Sequence, residues 1–500
     1  MYDVLVIGGG PAGVTAALRA RELGASVALV ERDRLGGTCT NDGCVPTRVL
    51  AHAARLLREA GQHESYGLIG EPPRLDFGRL IDITGQIVDD IHEKKQMVNH
   101  LEKYGVAVYA GLGAARFIDP HTIQLGDSEK QLEGKQVIIC AGGHARRLPF
   151  PGAEHALTHS DVWQMRELPD RLAIIGAAAT GCQLASSMNT FGASVTLLDV
   201  APTLLPTEDT AVVEAMQQAF ATRGIDVITE IDGVEQFEQQ GRELKLVYKR
   251  DGVLHELPVD AVVLAVGWPG NLEPLNLPAA GVATEGNYII SDDYLRTSVS
   301  HIFAAGDIDG RMMLVQSATH EARVAVENAL LSDDQPYRPQ IVPHGGFTDP
   351  EYASVGLTEK SAIEDGHDVI TALASFINLD RAVIDGKTEG FCKLVVSRET
   401  RQLLGAHVVG EQAVEIVQLC AAHMATQSSI EQLAELELAY PTYTAIVGLA
   451  ARRAVHYLGL MKLSSEWHAT SPYYAAEWER REPEGPIAQP EQSISGLRNV

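Results

Sequence analysis

Val4-Leu5-Val6-Ile7-Gly8-Gly9-Gly10-Pro11-Ala12-Gly13 opens the chain as a short apolar run that breaks into a glycine-rich turn. The four apolar residues predict a buried strand. The alanine-rich stretch to about Leu23 predicts a helix, and Val27-Ala28-Leu29-Val30 a second strand ending at Glu31. Each glycine has its own task in this frame. Gly8 permits the tight turn, Gly10 lets the backbone approach a pyrophosphate, and Gly13 allows close packing of helix on strand. The helix N-terminus offers free N–H groups to phosphates, and Glu31 is placed to accept hydrogen bonds from a ribose. The expectation is a dinucleotide cradle in an α/β fold.

About one βαβ unit further on stands Gly36-Gly37-Thr38-Cys39-Thr40-Asn41-Asp42-Gly43-Cys44-Val45-Pro46-Thr47. In a regular helix, residues five apart are separated by roughly 7.5 Å of rise. A disulfide wants its Cα atoms about 4.4–6.8 Å apart. Bridging Cys39 to Cys44 therefore requires a distorted first turn, which Gly43 and Pro46 permit. A bridge so placed is expected to be reducible rather than a structural staple. A helix start near Cys44 lowers its thiol pKa. Cys140, Cys182, Cys392 and Cys420 lie in apolar surroundings and are expected to be buried fillers.

Two later segments extend the pattern. Ser300-His301-Ile302-Phe303-Ala304-Ala305-Gly306-Asp307 reads as a strand ending in Gly306-Asp307, with a helix from about Gln316. An Asp there can bind a polyol or ribose hydroxyl. Ala173-Ile174-Ile175 leads into Gly176-Ala177-Ala178-Ala179-Thr180-Gly181-Cys182-Gln183, a second fingerprint whose middle glycine is Ala178. Its methyl would push a pyrophosphate outward by up to about 1 Å and weaken close approach. The strand Val195-Thr196-Leu197-Leu198 ends at Asp199. An acid there pairs with a free 2′-hydroxyl and repels a 2′-phosphate, favouring NADH over NADPH.

The formal net charge of −26 argues against nucleic acid or an anionic membrane as the main partner. No charged and apolar leader precedes the first strand, and no apolar run is long enough to span a bilayer. A cytoplasmic protein is expected. No metal-ligand spacing was found.

In their order, the GGGPAG turn, the GGTCxNxGCxPT segment, Ala141-Gly142-Gly143 and the Ala304-Ala305-Gly306-Asp307 strand resemble the flavin-dependent pyridine nucleotide–disulfide oxidoreductases. So does Phe347-Thr348-Asp349-Pro350-Glu351, which is similar to the opening of that family's dimerisation domain. Lipoamide dehydrogenase, glutathione reductase, mercuric reductase and the soluble transhydrogenase belong to the family, and the resemblance covers roughly residues 1–462. It implies two Rossmann-like domains, for FAD and for NAD(P), and an α+β dimerisation domain. FAD would be bound by Gly8, Gly10, Gly13, Glu31, Thr38, Gly306 and Asp307. The nicotinamide nucleotide would be met by Gly176, Gly181, Gln183, Asp199 and Gly267. Cys44 would face the flavin as the charge-transfer thiolate and Cys39 would exchange with a substrate disulfide.

The chain also departs from the family pattern. Arg48 stands where the family usually has Lys, and Gln183 where it has the Glu that pairs with that Lys. The cation persists while its carboxylate is replaced by a neutral amide, which implies a more positive flavin environment and a higher flavin potential. Gly267-Trp268-Pro269-Gly270-Asn271 replaces Gly-Arg-x-Pro-Asn, removing a basic contact to the nicotinamide side. The partner-subunit His-Pro-x-x-x-Glu segment that protonates the leaving thiolate reads Tyr440-Pro441-Thr442-Tyr443-Thr444-Ala445. Tyrosine, with an ordinary pKa near 10, does not cycle protons at neutral pH as histidine does, so reduction of lipoamide or glutathione by the usual route is disfavoured. Mercuric reductases carry a C-terminal vicinal cysteine pair, whereas the last cysteine here is Cys420. Transhydrogenases lack the full pair that Cys39 and Cys44 make.

The expected organisation is an FAD domain in two pieces, 1–149 and 271–336, an inserted NAD(P)-type domain at 150–270, and a dimerisation domain at 341–462. The extension 463–500 contains Trp467, His468, Tyr473, Tyr474 and Trp478. It reads as a flexible tail, or as aromatics that dock on a dimer seam or nucleotide cleft. The leading function is a homodimeric FAD enzyme that passes electrons from NAD(P)H, with NADH favoured, through Cys39–Cys44. The acceptor would be a small-molecule or protein disulfide, a metal, a quinone or a dye. Arg48 would tune flavin charge and Tyr440 would be a weak proton donor. The competing readings are a degenerate nicotinamide half served by another electron donor, and a flavin redox sensor without turnover.

Overall fold

The computed structural model describes residues 1–460 apart from 241–242, 332–333 and 339–340. The extension 463–500 therefore lies outside the described residues. The chain divides into two compact units, residues 1–208 with 216–349, and residues 209–215 with the chain from 350 onward.

In the first unit β1 (Tyr2–Ile7) runs into α1 (Pro11–Glu22) and β2 (Val27–Glu31). β1 is parallel to β2 on one side and to strand Gln131–Ile139 on the other. Val4, Leu5 and Val6 have no solvent exposure, which is why the strand is apolar throughout rather than alternating. Its pleat divides the core. Val4 and Val6 pack with Ala16, Ala17 and Ala20 of α1, while Leu5 and Ile7 pack on the opposite face with Phe117 and Ile123. Strand Ile302–Ala304 returns to this sheet beside Gln131–Ile139, with Ala304 opposite Ile139. That register delivers Gly306-Asp307 to the same sheet end as the glycine turn after β1.

The βαβ frame recurs in strand Arg171–Ile175, helix Ala179–Phe191 and strand Ser194–Leu198, with Ala173 opposite Thr196 in parallel. Strand Ala261–Leu264 extends this sheet, and the hairpin strands Gly233–Gln240, Glu243–Arg250 and Val253–Val259 form a separate antiparallel layer.

In the second unit, strands Tyr352–Gly356, Leu403–Val409, Phe391–Ser397 and Val369–Ser375 pair antiparallel in that order. Its main buried charge is Lys393, whose ammonium donates to Asp209 at 2.9 and 3.1 Å and to Glu359 at 2.6 Å. Two carboxylates on one ammonium satisfy a charge that burial would otherwise make costly. Among the described residues no helix is long and apolar enough to cross a membrane.

Candidate active site

The glycines of the first turn separate by physical cause. Gly8 has φ +107°, and a Cβ there would lie 2.1 Å from the Cys140 carbonyl oxygen. A Cβ on Gly13 would lie 1.8 Å from the Gly8 carbonyl oxygen. Gly10 is different: its φ is −74°, and the nearest atom to an added Cβ is the Gly37 Cα at 3.6 Å. Among the described residues no close contact demands a glycine there; a missing Cβ leaves room for a pyrophosphate, so the turn fits a dinucleotide. Glu31 accepts from the Gly9 N–H at 2.7 Å and from the Asp33 N–H at 3.0 Å. A cavity lined by Gly8, Glu31, Arg32, Ala115, Asn271 and Leu275 adjoins it.

Gly306 has φ +80° and donates its N–H to the buried carboxylate of Glu321 at 2.6 Å. Burial and the neighbouring Asp309 push Glu321 up to about 7. Asp307 next to it accepts from the Trp268 indole N–H at 2.9 Å, and burial raises its pKa. The tryptophan that removes a basic side chain from the sequence pattern thus supplies a donor to Asp307. Glu321 carries no motif signal and was missed from sequence.

The second turn copies the first. Gly176 has φ +109°, and a Cβ on Gly181 would again lie 1.8 Å from the carbonyl oxygen of the turn's first glycine. Ala178 adopts φ −78°, ψ −173°, against −74° and −173° for Gly10, a conformation alanine takes without strain. Asp199 accepts from the Ala177 N–H and, at 2.8 Å, from the Ala201 N–H, as Glu31 does in the first half. The Ala178 substitution therefore leaves the backbone of a nucleotide cradle intact. Gly267 sits at φ +122°, a glycine position on backbone grounds alone.

Thr38 and Cys39 belong to α2 (Gly37–Asn41), and Cys44 begins α3 (Cys44–Ala60). The distorted turn expected from spacing is a complete break between two helices, made at Asp42 and Gly43. A Cβ on Gly43 would lie 2.9 Å from the Thr38 carbonyl oxygen, so the break closes only on glycine. Cys39 and Cys44 are both free thiols. Interaction with the neighbouring Cys39 lowers Cys44 to about 7, while Cys44 and burial raise Cys39 strongly. Cys44 is thus the more readily ionised sulfur of the pair, and Cys39 the one that keeps its proton. Alkylation of Cys44 is accordingly expected to accelerate with a midpoint near pH 7, far below Cys140, Cys182, Cys392 and Cys420, whose thiols burial pushes up. Mass-spectrometric rates across pH 5–10 check this. All four other cysteines are buried.

Arg48 and Gln183 meet on one residue rather than on each other. The Arg48 guanidinium lies over the Phe347 ring at 4.4 Å, and the Gln183 amide oxygen accepts from the Phe347 N–H at 3.1 Å. Phe347 thus engages both side chains that depart from the family pattern, its ring the Arg48 cation and its N–H the Gln183 amide. The phenol of Tyr440 donates to Asp380 at 2.6 Å and is exposed, while Tyr443 donates to Asp385 at 2.8 Å.

Comparison with known proteins agrees with this geometry. The family model for pyridine nucleotide-disulphide oxidoreductase matches residues 2–322, and that for the family's dimerisation domain matches residues 342–451. Dihydrolipoyl dehydrogenase of Bacillus subtilis is 31% identical over 473 residues, 91% of this chain and 99% of that protein. Mercuric reductase of Staphylococcus aureus is 32% identical over 453 residues, 90% of this chain and 82% of that protein. Among solved structures, the HOCl-induced flavoprotein disulfide reductase RclA from Escherichia coli superposes with a TM-score of 0.80 at 25% identity, covering 90% and 99% of the two chains. LpdA from Mycobacterium tuberculosis gives 0.82 at 26% identity, covering 90% and 99%. With both nucleotide turns, the paired thiols and the dimerisation-domain match in place, the chain belongs to the FAD-dependent pyridine nucleotide-disulphide oxidoreductases, enzymes that use NAD(P)H.

Proposed function

We propose that the protein is a homodimeric, NADH-dependent reductase whose Cys39–Cys44 pair passes electrons to a thiophilic metal cation. The observation that carries this reading is the pair of free cysteines on either side of the helix break, Cys39 and Cys44, with Cys44 lowered by its cysteine neighbour, combined with tyrosine in place of the histidine acid. A soft cation binds a thiolate directly. A disulfide substrate, by contrast, needs its leaving thiolate protonated, and general acid catalysis is typically worth about 10²–10⁴-fold. Tyr440, whose phenol donates to Asp380, would be only a weak proton donor in that role. Likeness to a mercuric reductase and to a solved Cu(II) complex of RclA supports a metal acceptor. NADH is favoured because Asp199 ends the second strand as an acid.

In this reading the FAD domain comprises 1–149 and 271–336, the nicotinamide-nucleotide domain 150–270 and the dimer domain 341–462. FAD, when bound, relays two electrons from reduced nicotinamide to the cysteine disulfide. Gly8, Gly10 and Gly13 would leave room for its pyrophosphate, Glu31 would hold a ribose and Asp307 a polyol hydroxyl. Cys44 holds the negative charge and Cys39 the proton of the reduced pair. With Cu(II), two metal ions each take one electron, a sulfur–sulfur bond forms and two protons, or one from the thiol–thiolate form, are released.

Anaerobic stopped-flow spectroscopy tests this. NADH is expected to bleach the flavin faster than NADPH, and glycine-complexed Cu(II) to reoxidise the pair at least about 100-fold faster than lipoamide. Equal or faster oxidation by lipoamide would overturn the metal reading. Bleaching by dithionite but by neither nucleotide would turn attention to another donor.

A further inference from the structure

The break between α2 and α3 is held from outside. Asp42 bonds the Thr38 carbonyl through its own N–H at 3.0 Å, but its side chain and carbonyl are taken by residues far along the chain. The Ser160 hydroxyl donates to the Asp42 carboxylate at 2.8 Å, and the Trp163 indole N–H donates to the Asp42 carbonyl at 2.8 Å. The strap 158–163 that supplies both donors is itself pinned. The Asp161 carboxylate accepts from the Thr158 N–H at 2.7 Å, the Thr158 hydroxyl at 2.8 Å and Arg147 at 2.8 Å. Burial pushes Asp161 upward, yet these three donors bring it below the ordinary carboxylate value. The strap also sets the His159 ring 5.2 Å from the Trp268 ring, whose N–H holds Asp307.

We propose that Ser160 and Trp163 are positioning residues that clamp the loop between the two cysteines, hold Cys39 and Cys44 in place on either side of the helix break, and thereby lower the reduction potential of the pair. The proposal rests on the reading of Cys39–Cys44 as the redox centre. A dithiol closes to a disulfide more readily when its sulfurs are already adjacent, because the ordering of the loop has been met by other bonds. The neighbouring Cys39 thiol also favours the Cys44 thiolate, an effect on the reduced state that opposes closure. The ordering of the loop outweighs it, so loosening Asp42 shifts the equilibrium toward dithiol and raises the Cys44 pKa. A purely structural contact would change neither.

The test uses the FAD-loaded protein equilibrated in dithiothreitol redox buffers, with trapped cysteines quantified by mass spectrometry, and Cys44 alkylation followed across pH. The double variant Trp163→Phe with Ser160→Ala is expected to shift the equilibrium about tenfold toward dithiol, about 30 mV, and to move the alkylation midpoint upward. Ser160→Thr, which keeps the hydroxyl, is expected to behave as wild type. If Trp163→Phe fails to fold, Ser160→Ala alone is expected to give a shift of about threefold. An unchanged potential and midpoint in the folded variants, or a shift toward disulfide, would overturn the clamp. A wild-type pair that does not titrate as a two-electron couple overturns the redox reading, and the clamp with it.

Discussion

Cys44→Ser is expected to reduce acceptor turnover by at least about a thousandfold while leaving the flavin bound. With Cys44 lowered to about 7, roughly half of it is thiolate at neutral pH, and a thiolate is the species that attacks a disulfide or binds a soft metal. A serine hydroxyl does not ionise in this range and cannot form a disulfide, so the site loses both its charge and its two-electron capacity. The cofactor cradle is untouched, since Glu31 keeps its bonds to the Gly9 and Asp33 N–H groups. Cys39→Ser separates the roles. Its hydroxyl can still donate to the Cys44 sulfur, so the thiolate is expected to persist near its lowered pKa while disulfide formation disappears. Steady-state NADH oxidation with Cu(II), beside the visible flavin spectrum, reads both effects. Turnover of Cys44→Ser above about one per cent of wild type would mean that electrons reach the acceptor without the pair.

Asp199→Ser is expected to shift nucleotide preference toward NADPH by about 10²-fold, read as the ratio of kcat/KM for the two nucleotides. The Asp199 carboxylate is fixed at the end of strand Ser194–Leu198 by the Ala177 and Ala201 N–H groups, so it cannot swing away from a 2′-phosphate. Two like charges about 5 Å apart at an effective dielectric constant of about 20 repel by about 3 kcal/mol per pair of unit charges. Serine removes the charge and keeps an oxygen able to accept from one of the two amides. NADH is expected to lose several-fold through its weakened ribose contact, and NADPH to gain. A ratio that stays put would mean that Asp199 does not face the ribose. The expectation does not depend on Ala178, whose backbone matches that of Gly10.

Much of the site was legible because its causes are local. Gly8, Gly13, Gly176 and Gly181 are needed for backbone reasons contained within a few residues or a neighbouring strand end, and a spacing pattern captures that. Glu31 and Asp199 follow because a strand of known length carries each to the turn. The cysteine loop was half legible. Spacing showed that regular helix could not hold the pair in bonding distance, but not that the helix would break outright at Asp42. The partners that complete the break, Ser160 and Trp163, lie more than a hundred residues away, and no periodicity connects them. Trp268 read as the loss of a basic contact. Only the fold shows its N–H on Asp307.

The sequence by itself determined the two glycine turns, the strand-end acids and a cysteine pair that no regular helix could bridge, because φ angles, helix rise and glycine's missing Cβ are properties of short segments. Tertiary structure alone sets the surroundings that make Cys44 the more acidic of the two sulfurs. It also decided that Arg48 and Gln183 both engage Phe347, and that a buried Glu321 supports Gly306. Charge and hydrogen bonding act through space, so the state of Cys44 depends on what the folded chain places beside it.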